Sequence, residues 1–130
     1  GDLGLDATDA LDQLIKTASD NNPAIRRAST DALGLVGQCS TTAASALAEN
    51  LKDDDVWVKQ NASLALARLG ELAEPVTPSL ITALKDENRY VRANSLEALR
   101  RIGTSASETA MFNFLLTSRW CPLTTRDSTF

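Results

Sequence analysis

The chain of 130 residues carries a net charge of −4 and contains no histidine. This length fits one domain. No apolar run reaches the roughly 20 residues that a membrane helix needs. The acidic balance disfavours a nucleic-acid-binding domain, because such domains usually carry a basic stripe. Without histidine the chain lacks the commonest general base and the commonest metal ligand, and Cys39 and Cys121 stand too far apart for a metal motif or a disulfide framework.

A step of 33 residues organises the sequence. Gly37, Gly70 and Gly103 are separated by this step, and residues of one class recur at it throughout the chain. A sharp internal period of this length predicts a solenoid, in which each repeat packs only against its neighbours. The other series are Leu14, Leu47, Leu80; Asp20, Asp53, Asp86; Ile25, Val58, Val91; Arg26, Lys59, Arg92; Ala32, Ala65, Ala98; and Leu33, Leu66, Leu99.

Each repeat predicts a pair of helices. In the first helix, Leu11, Leu14, Ile15 and Ala18 form an i, i+3, i+4, i+7 stripe, which is the pattern of one buried helix face. Comparable stripes recur in the later segments. In chain order, the helices are expected at about 8–19, 23–36, 42–52, 56–69, 77–85, 89–102 and 106–118.

Capping residues support these boundaries. Side chains that accept hydrogen bonds from the free amides of a helix start stand before each second helix, and a glycine follows each one. Thr77 before Pro78 is expected to open its helix in the same way, and Ser105 with Glu108 has capping-box spacing for the last helix. The caps expected for the second helices are Asn22, Asp55 and Asn88.

The pattern divides the chain into an α-solenoid over residues 1–118 and a tail over 119–130. The last helix carries Phe112 and Leu116, but no second helix follows it, so the terminal unit is a half repeat. The tail is expected either to cap the open end of the solenoid or to dock on a partner. The units cover about 8–37, 42–70, 77–103 and, for the half repeat, 105–118.

The pattern Asp-x5-(Arg/Lys)-x5-Ala-Leu, ending in glycine, resembles HEAT repeats, and more narrowly the short HEAT-like repeats of the phycobilisome-lyase class. Residues 88–103 match best, residues 52–70 match nearly as well, and the resemblance covers roughly residues 8–118. Ankyrin repeats share the period, but their Thr-Pro-Leu-His signature is missing. The resemblance implies an all-α fold, a right-handed solenoid of antiparallel helix pairs with three full repeats, a terminal half repeat and a C-terminal cap.

The same resemblance sets the expectations for function. Many members of this class are scaffolds, whereas some attach or detach bilins on phycobiliproteins and others act in phycobilisome turnover. We expect a non-catalytic protein–protein interaction scaffold without a cofactor or metal, whose partner is a phycobiliprotein, an antenna component or a photosystem subunit. The alternative is a lyase-like enzyme subunit or a turnover factor, with Trp57, Tyr90, Arg92 and Glu97 as the candidate groups beside a bilin.

The resemblance also implies a cyanobacterial or plastid protein. We therefore expect a cytoplasmic location or, in a eukaryote, the plastid stroma or the thylakoid surface, with no membrane insertion and no nucleic-acid partner. Because the chain begins at Gly1 and not at methionine, we expect either that a preceding segment has been removed or that the sequence is an excised part of a longer chain, and in both cases a targeting peptide would not be visible.

The candidate protein-binding residues lie mainly on the second helices, which line the concave surface in HEAT-like solenoids. Trp57 and Tyr90 share one register and are expected to anchor an interface or to pack on the neighbouring first helix. Polar residues of these helices suit recognition of peptides or acidic surfaces, since arginine pairs bidentately with carboxylates. The alternatives are a solvated face or hydrogen bonds between repeats. These polar candidates are Gln60, Asn61, Arg68, Asn94, Arg100 and Arg101, and Trp120 in the tail completes the set.

The series Asp20, Asp53, Asp86 and Arg26, Lys59, Arg92 allows two interpretations. One is a charged binding stripe, and the other is a ladder of ion pairs and loop hydrogen bonds that fixes the turns. The structural interpretation is favoured, because a residue repeated at the same position is what stacking of repeats requires.

Overall fold

The computed structural model describes residues 2–36 and 41–117. Over these residues the chain is an all-α solenoid of seven α-helices and one 3₁₀ segment, without a β-strand, so the predicted fold class is confirmed. The expected C-terminal cap, with Trp120, lies outside the described residues. The elements are α1 Asp2–Thr17, α2 Pro23–Val36, α3 Thr41–Asn50, α4 Val56–Leu69, the 3₁₀ segment Gly70–Val76, α5 Thr77–Ala83, α6 Arg89–Ile102 and α7 Ser105–Thr117.

The second helices α2, α4 and α6 begin and end where the sequence predicts. The first helices differ more. The helix α1 begins at Asp2 and not near residue 8, in keeping with an i, i+4 row of apolar residues that runs back from Leu11 through Ala7 to Leu3 in the sequence. Gly70 and Gly103 end α4 and α6 with positive φ angles of 59° and 69°, which residues other than glycine rarely adopt.

The second helices form the inner layer of the solenoid. The helix α4 packs along its length against α2 on one side and α6 on the other, whereas α1, α3, α5 and α7 touch one another only lightly. Because the second helices approach each other more closely, their layer lies on the inside of the curve. Each first helix packs on its own second helix, and the core lies between the two layers.

The core repeats with the sequence. The positions related by the 33-residue step supply the largest side chains that are fully buried. The first repeat departs from this rule, since Ile25 is exposed where Val58 and Val91 are buried. A terminal repeat lacks a preceding neighbour, so the same position meets solvent there. The fully buried aliphatic residues are Leu33, Leu47, Leu66, Leu80, Leu99, Val58 and Val91.

Close packing of the inner layer depends on small residues. Gly34 on α2 faces Ala65 on α4, and a Cβ atom added to Gly34 would lie 2.7 Å from the Cβ atom of Ala65 and 3.1 Å from its Cα atom. Carbon atoms do not approach to 2.7 Å without displacing one another. The glycine therefore allows α2 and α4 to approach at the distance that the structure shows.

The connection between α4 and α5 was not predicted from the sequence. Residues Gly70–Val76 form a 3₁₀ segment that contains Pro75 and buries Ala73 and Val76 against the core. A 3₁₀ segment is favoured in short connectors. The sequence predicts the end of α4 at Gly70 and the start of the next helix at residue 77, and it assigns no structure to the residues between them.

Two expected caps were wrong. The Oγ1 atom of Thr77 donates to the carbonyl of Glu74 at 2.6 Å and does not accept from the start of α5, because helical turns already precede it. Ser105 is the first residue of α7, and the cap is Thr104, whose Oγ1 atom accepts from the amide of Ser107 at 3.2 Å. Both errors involve threonine, whose hydroxyl can either accept a hydrogen bond from an amide later in the chain or donate one to a carbonyl earlier in the chain.

We expect Leu66→Asp to abolish the cooperative unfolding transition, because it places an unpaired charge at a side chain that is 0% exposed. The cost should reach about 5 kcal/mol or more, which is comparable with the whole stability of a small domain. Leu64→Asp is the matched control, because Leu64 on the same helix is 38% exposed, and it should cost less than about 1 kcal/mol. Circular dichroism during urea titration measures both, and a cooperative Leu66→Asp variant would contradict the register described here.

We expect Gly34→Ala to lower the free energy of unfolding by about 1 kcal/mol, because overpacking costs about 1–3 kcal/mol and the gain in helix propensity returns only about 1 kcal/mol. The companion change Ala65→Gly removes the atom that clashes. A double-mutant cycle with urea denaturation should give a favourable coupling of about 1 kcal/mol. Simple additivity of the two changes would show that the close contact does not limit the approach of α2 and α4.

Candidate functional site

The start of each second helix is fixed by the capping residues that the sequence predicts. The Oδ1 atom of Asn22 accepts from the amide of Ala24 at 2.8 Å. Asp55 and Asn88 each accept two amide hydrogen bonds, at 2.8–3.1 Å, from the second and third residues of α4 and α6. The caps satisfy amides that have no partner within the helix, and each of them fixes the start of its own helix.

The aspartates two residues before the caps of α4 and α6, Asp53 and Asp86, join neighbouring repeats. Asp53 accepts from the amide of Asp55 at 2.8 Å, which closes its own turn. The same carboxylate accepts two hydrogen bonds from the Arg26 guanidinium of the preceding repeat, at 2.7 and 3.0 Å. Arg26 also donates to the carbonyls of Asp20 and Asn21 in its own turn. One carboxylate and one guanidinium thus tie two turns together.

The next repeat uses the same contact with a lysine. The Nζ atom of Lys59 lies 3.0 Å from Asp86, whose carboxylate accepts from the amide of Asn88. Arg92 donates to the carbonyls of Asp86 and Glu87 in its own turn. The structural interpretation of the aspartate–arginine series is therefore confirmed: these residues fix turns and connect repeats.

Several of the polar candidates on the inner layer also bond from one repeat to the next. The Nδ2 atom of Asn61 donates to the carbonyl of Arg27 at 3.1 Å, and that of Asn94 donates to the hydroxyl of Ser63 at 3.1 Å. Gln60 accepts from the side chain of the cap Asn88 at 3.1 Å. These side chains contribute their donors or acceptors to stacking, and only their remaining polar atoms face solvent.

Two arginines of this layer are held in the same manner. Arg27 forms a bidentate pair with Asp55 at 3.1 and 2.6 Å. Arg101 donates from Nη1 to the carbonyl of Ala67 on α4 at 3.0 Å, and from Nε to Glu97 at 2.8 Å. The inner layer is thus crossed by hydrogen bonds that run from each second helix to the next.

The aromatic candidates remain exposed. Trp57 and Tyr90 are 55% and 53% exposed at equivalent positions of α4 and α6, so packing against a neighbouring first helix does not cover them. The guanidinium of Arg89 lies 5.1 Å from the centroid of the Tyr90 ring, which is within the range of a cation–π contact. Two amphipathic rings therefore project from adjacent helices of the inner layer.

After the polar and the aromatic candidates, the remaining candidate residues are three arginines near the carboxyl ends of α4 and α6. Arg100 and Arg101 share the carboxylate of Glu97, and these two guanidinium groups lower the pKa of Glu97 from 4.5 to about 2. Arg68 has no carboxylate within ion-pairing distance among the described residues. Two of the three arginines thus share a single anion, and the third has none.

Comparison with protein-family models gives matches to HEAT repeats over residues 2–67 and 51–119. The chain belongs to the HEAT-repeat family. HEAT repeats generally mediate protein–protein interactions. Comparison with curated proteins gives no match.

The predicted binding residues other than Trp120 lie on the second helices α4 and α6 of these repeats. We name the exposed residues of α2, α4 and α6 the inner face. On this face Trp57 and Tyr90 lie near the amino ends of the helices, and Arg68, Arg100 and Arg101 lie near the carboxyl ends. Trp120 lies outside the described residues. Of the candidates for a bilin site, Arg92 bonds to its own turn and does not join the others on this face.

Sequence reasoning missed two residues of the inner face, Leu35 and Leu64, which are exposed on α2 and α4. A signal for Leu64 was available, because the equivalent residues of the other repeats are Asp31 and Glu97, and a register with two acidic residues is a solvent position. The signal for Leu35 is similar, since Arg68 is its equivalent in the next repeat. The face is therefore more apolar than its polar candidates indicated.

The outer layer carries open grooves. One groove, of about 670 Å³, lies open between α5 and α7 beside Ile81 and Phe114. Next to it α7 exposes Phe112, Leu115 and Leu116. Within residues 2–36 and 41–117, no group of histidine, cysteine, aspartate or glutamate is arranged to hold a metal ion, and no helix is long and apolar enough to cross a membrane.

We expect the stability of the wild type to fall as the pH is lowered from about 4 to about 2. The Arg27 guanidinium, together with the amides of Val58 and Trp57, lowers the pKa of Asp55 from 3.8 to about 2. A carboxyl group whose pKa is lower in the folded chain stabilises the fold above its unfolded pKa, and this contribution is lost as the pH falls through the folded value.

Asp55→Asn tests this origin of the pH dependence, because asparagine is the cap at the equivalent positions 22 and 88 and should preserve the start of α4. We expect a smaller loss of stability between pH 4 and pH 2 in this variant than in the wild type, measured by urea denaturation at each pH. Glu97→Gln is a parallel variant that removes the other carboxyl group with a lowered pKa. An unchanged slope in both variants would assign the acid sensitivity to other groups.

Proposed function

We propose that this HEAT-repeat chain is a non-catalytic scaffold that binds a protein partner on the inner face. The observation that carries the proposal is the exposure of Trp57 and Tyr90 at equivalent positions of adjacent helices, in a layer where neighbouring polar side chains are used for stacking. Exposed tryptophan and tyrosine are the residues most often found at the energetic centre of protein interfaces. Leu64 and Leu35 extend the apolar part of the same face.

The shape of the inner face favours a macromolecular partner over a small substrate. Small-molecule sites are concave pockets that bury most of the ligand, whereas a solenoid presents an extended curved surface. The inter-repeat hydrogen bonds of Asn61, Asn94 and Arg101 hold the three helices in a fixed relation. A surface that is already ordered loses little conformational entropy on binding, which leaves more of the contact energy for affinity.

We expect the double variant Trp57→Ala/Tyr90→Ala to lose at least tenfold in affinity for the partner, because truncation of an interface hot spot costs about 2 kcal/mol or more. The partner is first captured from a lysate of the source cells with the wild-type chain and identified by mass spectrometry. The purified partner is then titrated with both proteins by isothermal calorimetry. Phe112→Ala is the matched control, because it removes an exposed aromatic ring from the outer layer.

Equal affinities of the wild type and the double variant would show that Trp57 and Tyr90 are not part of the interface. A loss in Phe112→Ala alone would move the interface to the outer layer beside α7. Trp57 and Tyr90 are both more than half exposed, so their truncation should keep the fold, and thermal denaturation of each variant verifies this.

We further propose that the partner is a phycobiliprotein, an antenna component or a photosystem subunit, in a cyanobacterial cytoplasm or a plastid. The support is the resemblance of residues 52–70 and 88–103 to the phycobilisome-lyase class. Titration of purified phycobiliproteins tests this placement. Binding without a change in bilin absorbance favours the scaffold, a change in absorbance favours the lyase-like alternative, and no binding to any of these proteins contradicts the photosynthetic placement.

A further inference from the structure

We propose that the arginine end of the inner face binds an extended acidic segment of the partner, with two carboxylates three residues apart. This inference rests on the proposed function, and it adds the chemistry and the geometry of the bound segment. It concerns Arg68, Arg100 and Arg101, which together form what we name the arginine stripe.

The arginine stripe crosses the helices. Arg68 Nη1 lies 3.9 Å from the Cβ position of Gly34 on α2, so its guanidinium leans over the preceding helix. Arg101 Nη1 lies 3.0 Å from the carbonyl of Ala67 on α4 and leans in the same direction. Gly34 and Ala67 are equivalent positions of successive repeats. The two guanidinium groups therefore lie about one helix spacing apart, roughly 8–10 Å.

This spacing matches an extended chain that runs across the helices. An extended chain in the polyproline II conformation advances about 3.1 Å per residue with three residues per turn, so residues i and i+3 lie on the same side of the chain and about 9 Å apart. Carboxylates at positions i and i+3 of such a chain would each meet one guanidinium. A helical segment would bring i and i+3 to about 5–6 Å, which is too short to serve both arginines, so the extended conformation is preferred.

The charges of the stripe also favour a carboxylate ligand. The three arginines have Glu97 as their one ion-pair partner among the described carboxylates, and it pairs with Arg100 and Arg101. Arg68 therefore retains its full capacity for bidentate pairing, and this pairing is the strongest neutral-pH contact between a side chain and a carboxylate. The arginine stripe is locally positive on a chain whose net charge is −4.

The net charge also decides between the two polyanions that such a stripe could attract. Nucleic acid carries charge along its whole length and would meet the acidic remainder of the chain, including the exposed side chains of Asp54 and Glu87. A short protein segment places its few carboxylates only where the arginines are. Leu64 and Leu35 lie beside the stripe on the same face and would receive an apolar residue of that segment. An acidic protein segment is accordingly the ligand that the whole surface fits.

The test uses the 130-residue chain and three synthetic twelve-residue peptides of glycine and serine that carry two glutamates one, two or three residues apart. Affinity is measured by ¹⁵N NMR titration, which also follows the Nε–H signals of the arginines. We expect the three-residue spacing to bind most tightly, with the largest shifts at Arg68 and Arg101. Arg68→Gln should weaken this binding about three- to fivefold, as expected for an exposed ion pair.

Two further variants make the test specific. Lys52→Gln removes an exposed cation from the outer layer and should leave the affinity for the peptide unchanged. Arg68→Glu should reverse the preference, so that a peptide with one glutamate replaced by lysine binds better than the original. Arg68 makes no ion pair within the described residues, so both of its variants should fold normally, and thermal denaturation verifies this.

Equal binding of all three peptides, or no shift at the arginines at millimolar peptide, would overturn the inference. A twelve-base-pair DNA duplex that binds more tightly than the peptides would overturn it in favour of a phosphate ligand. These failures are distinct from a failure of the proposed function. A partner whose affinity depends on Trp57 and Tyr90 but is unchanged in Arg68→Gln would uphold the scaffold and reject the acidic segment.

Discussion

Two turn aspartates, Asp53 and Asp86, each close their own turn and also bind the preceding repeat, and the rest of the structure depends on these paired contacts. Asp53 closes its own turn through the amide of Asp55 and at the same time binds Arg26 of the preceding repeat. A single carboxylate therefore links the start of α4 to the start of α2, and Asp86 links α6 to α4 through Lys59. Once these starts are aligned, equivalent residues of the second helices form rows across the inner layer. The close approach of Gly34 and Ala65 follows from that alignment, because it is the position at which both side chains are smallest. A shift of one residue in either turn would bring larger side chains into the same contact.

The alignment also explains why the polar residues of the inner layer do not all serve binding. Rows of equivalent residues place several side-chain amides and one guanidinium beside a carbonyl or hydroxyl oxygen of the preceding second helix. Asn61, Asn94 and Arg101 use donors in this way. A half-buried polar group that lacked such a partner would cost free energy, so stacking consumes these groups before any partner arrives. What remains for recognition is the set of side chains that the rows leave exposed: the rings of Trp57 and Tyr90, the guanidinium of Arg68, and the part of the Arg101 side chain that is not used for stacking.

The sequence predicted the features that depend on local chemistry. Asn22, Asp55 and Asn88 cap their helices as expected, since a cap is decided by the side chain and the amides next to it. The turn ladder was predicted because the same residues recur at each turn. Features that depend on the distance between helices were not predicted. The hydrogen bond from Asn94 to Ser63 is an example, because it requires the position of the neighbouring helix. The exposure of Leu64 and the cap at Thr104 were missed for a different reason, since the first follows from the equivalent residues of the other repeats and the second from residues close in sequence. Periodicity gives the order of the helices, but it does not give the offset between them.

Differences between the repeats are therefore the most informative part of the sequence for function. Positions required for stacking are nearly constant, as in the series Leu33, Leu66 and Leu99, all fully buried. Positions free of that requirement change their chemistry from one repeat to the next. Ala24 is replaced by Trp57 and Tyr90, and Leu35 is replaced by Arg68 and Arg101. Stability does not demand an exposed tryptophan or an unpaired arginine, since a smaller or neutral side chain would keep the same fold. Their presence in the second and third repeats places the specificity of this face there, and the first repeat then contributes mainly the surface of α2 over which Arg68 extends.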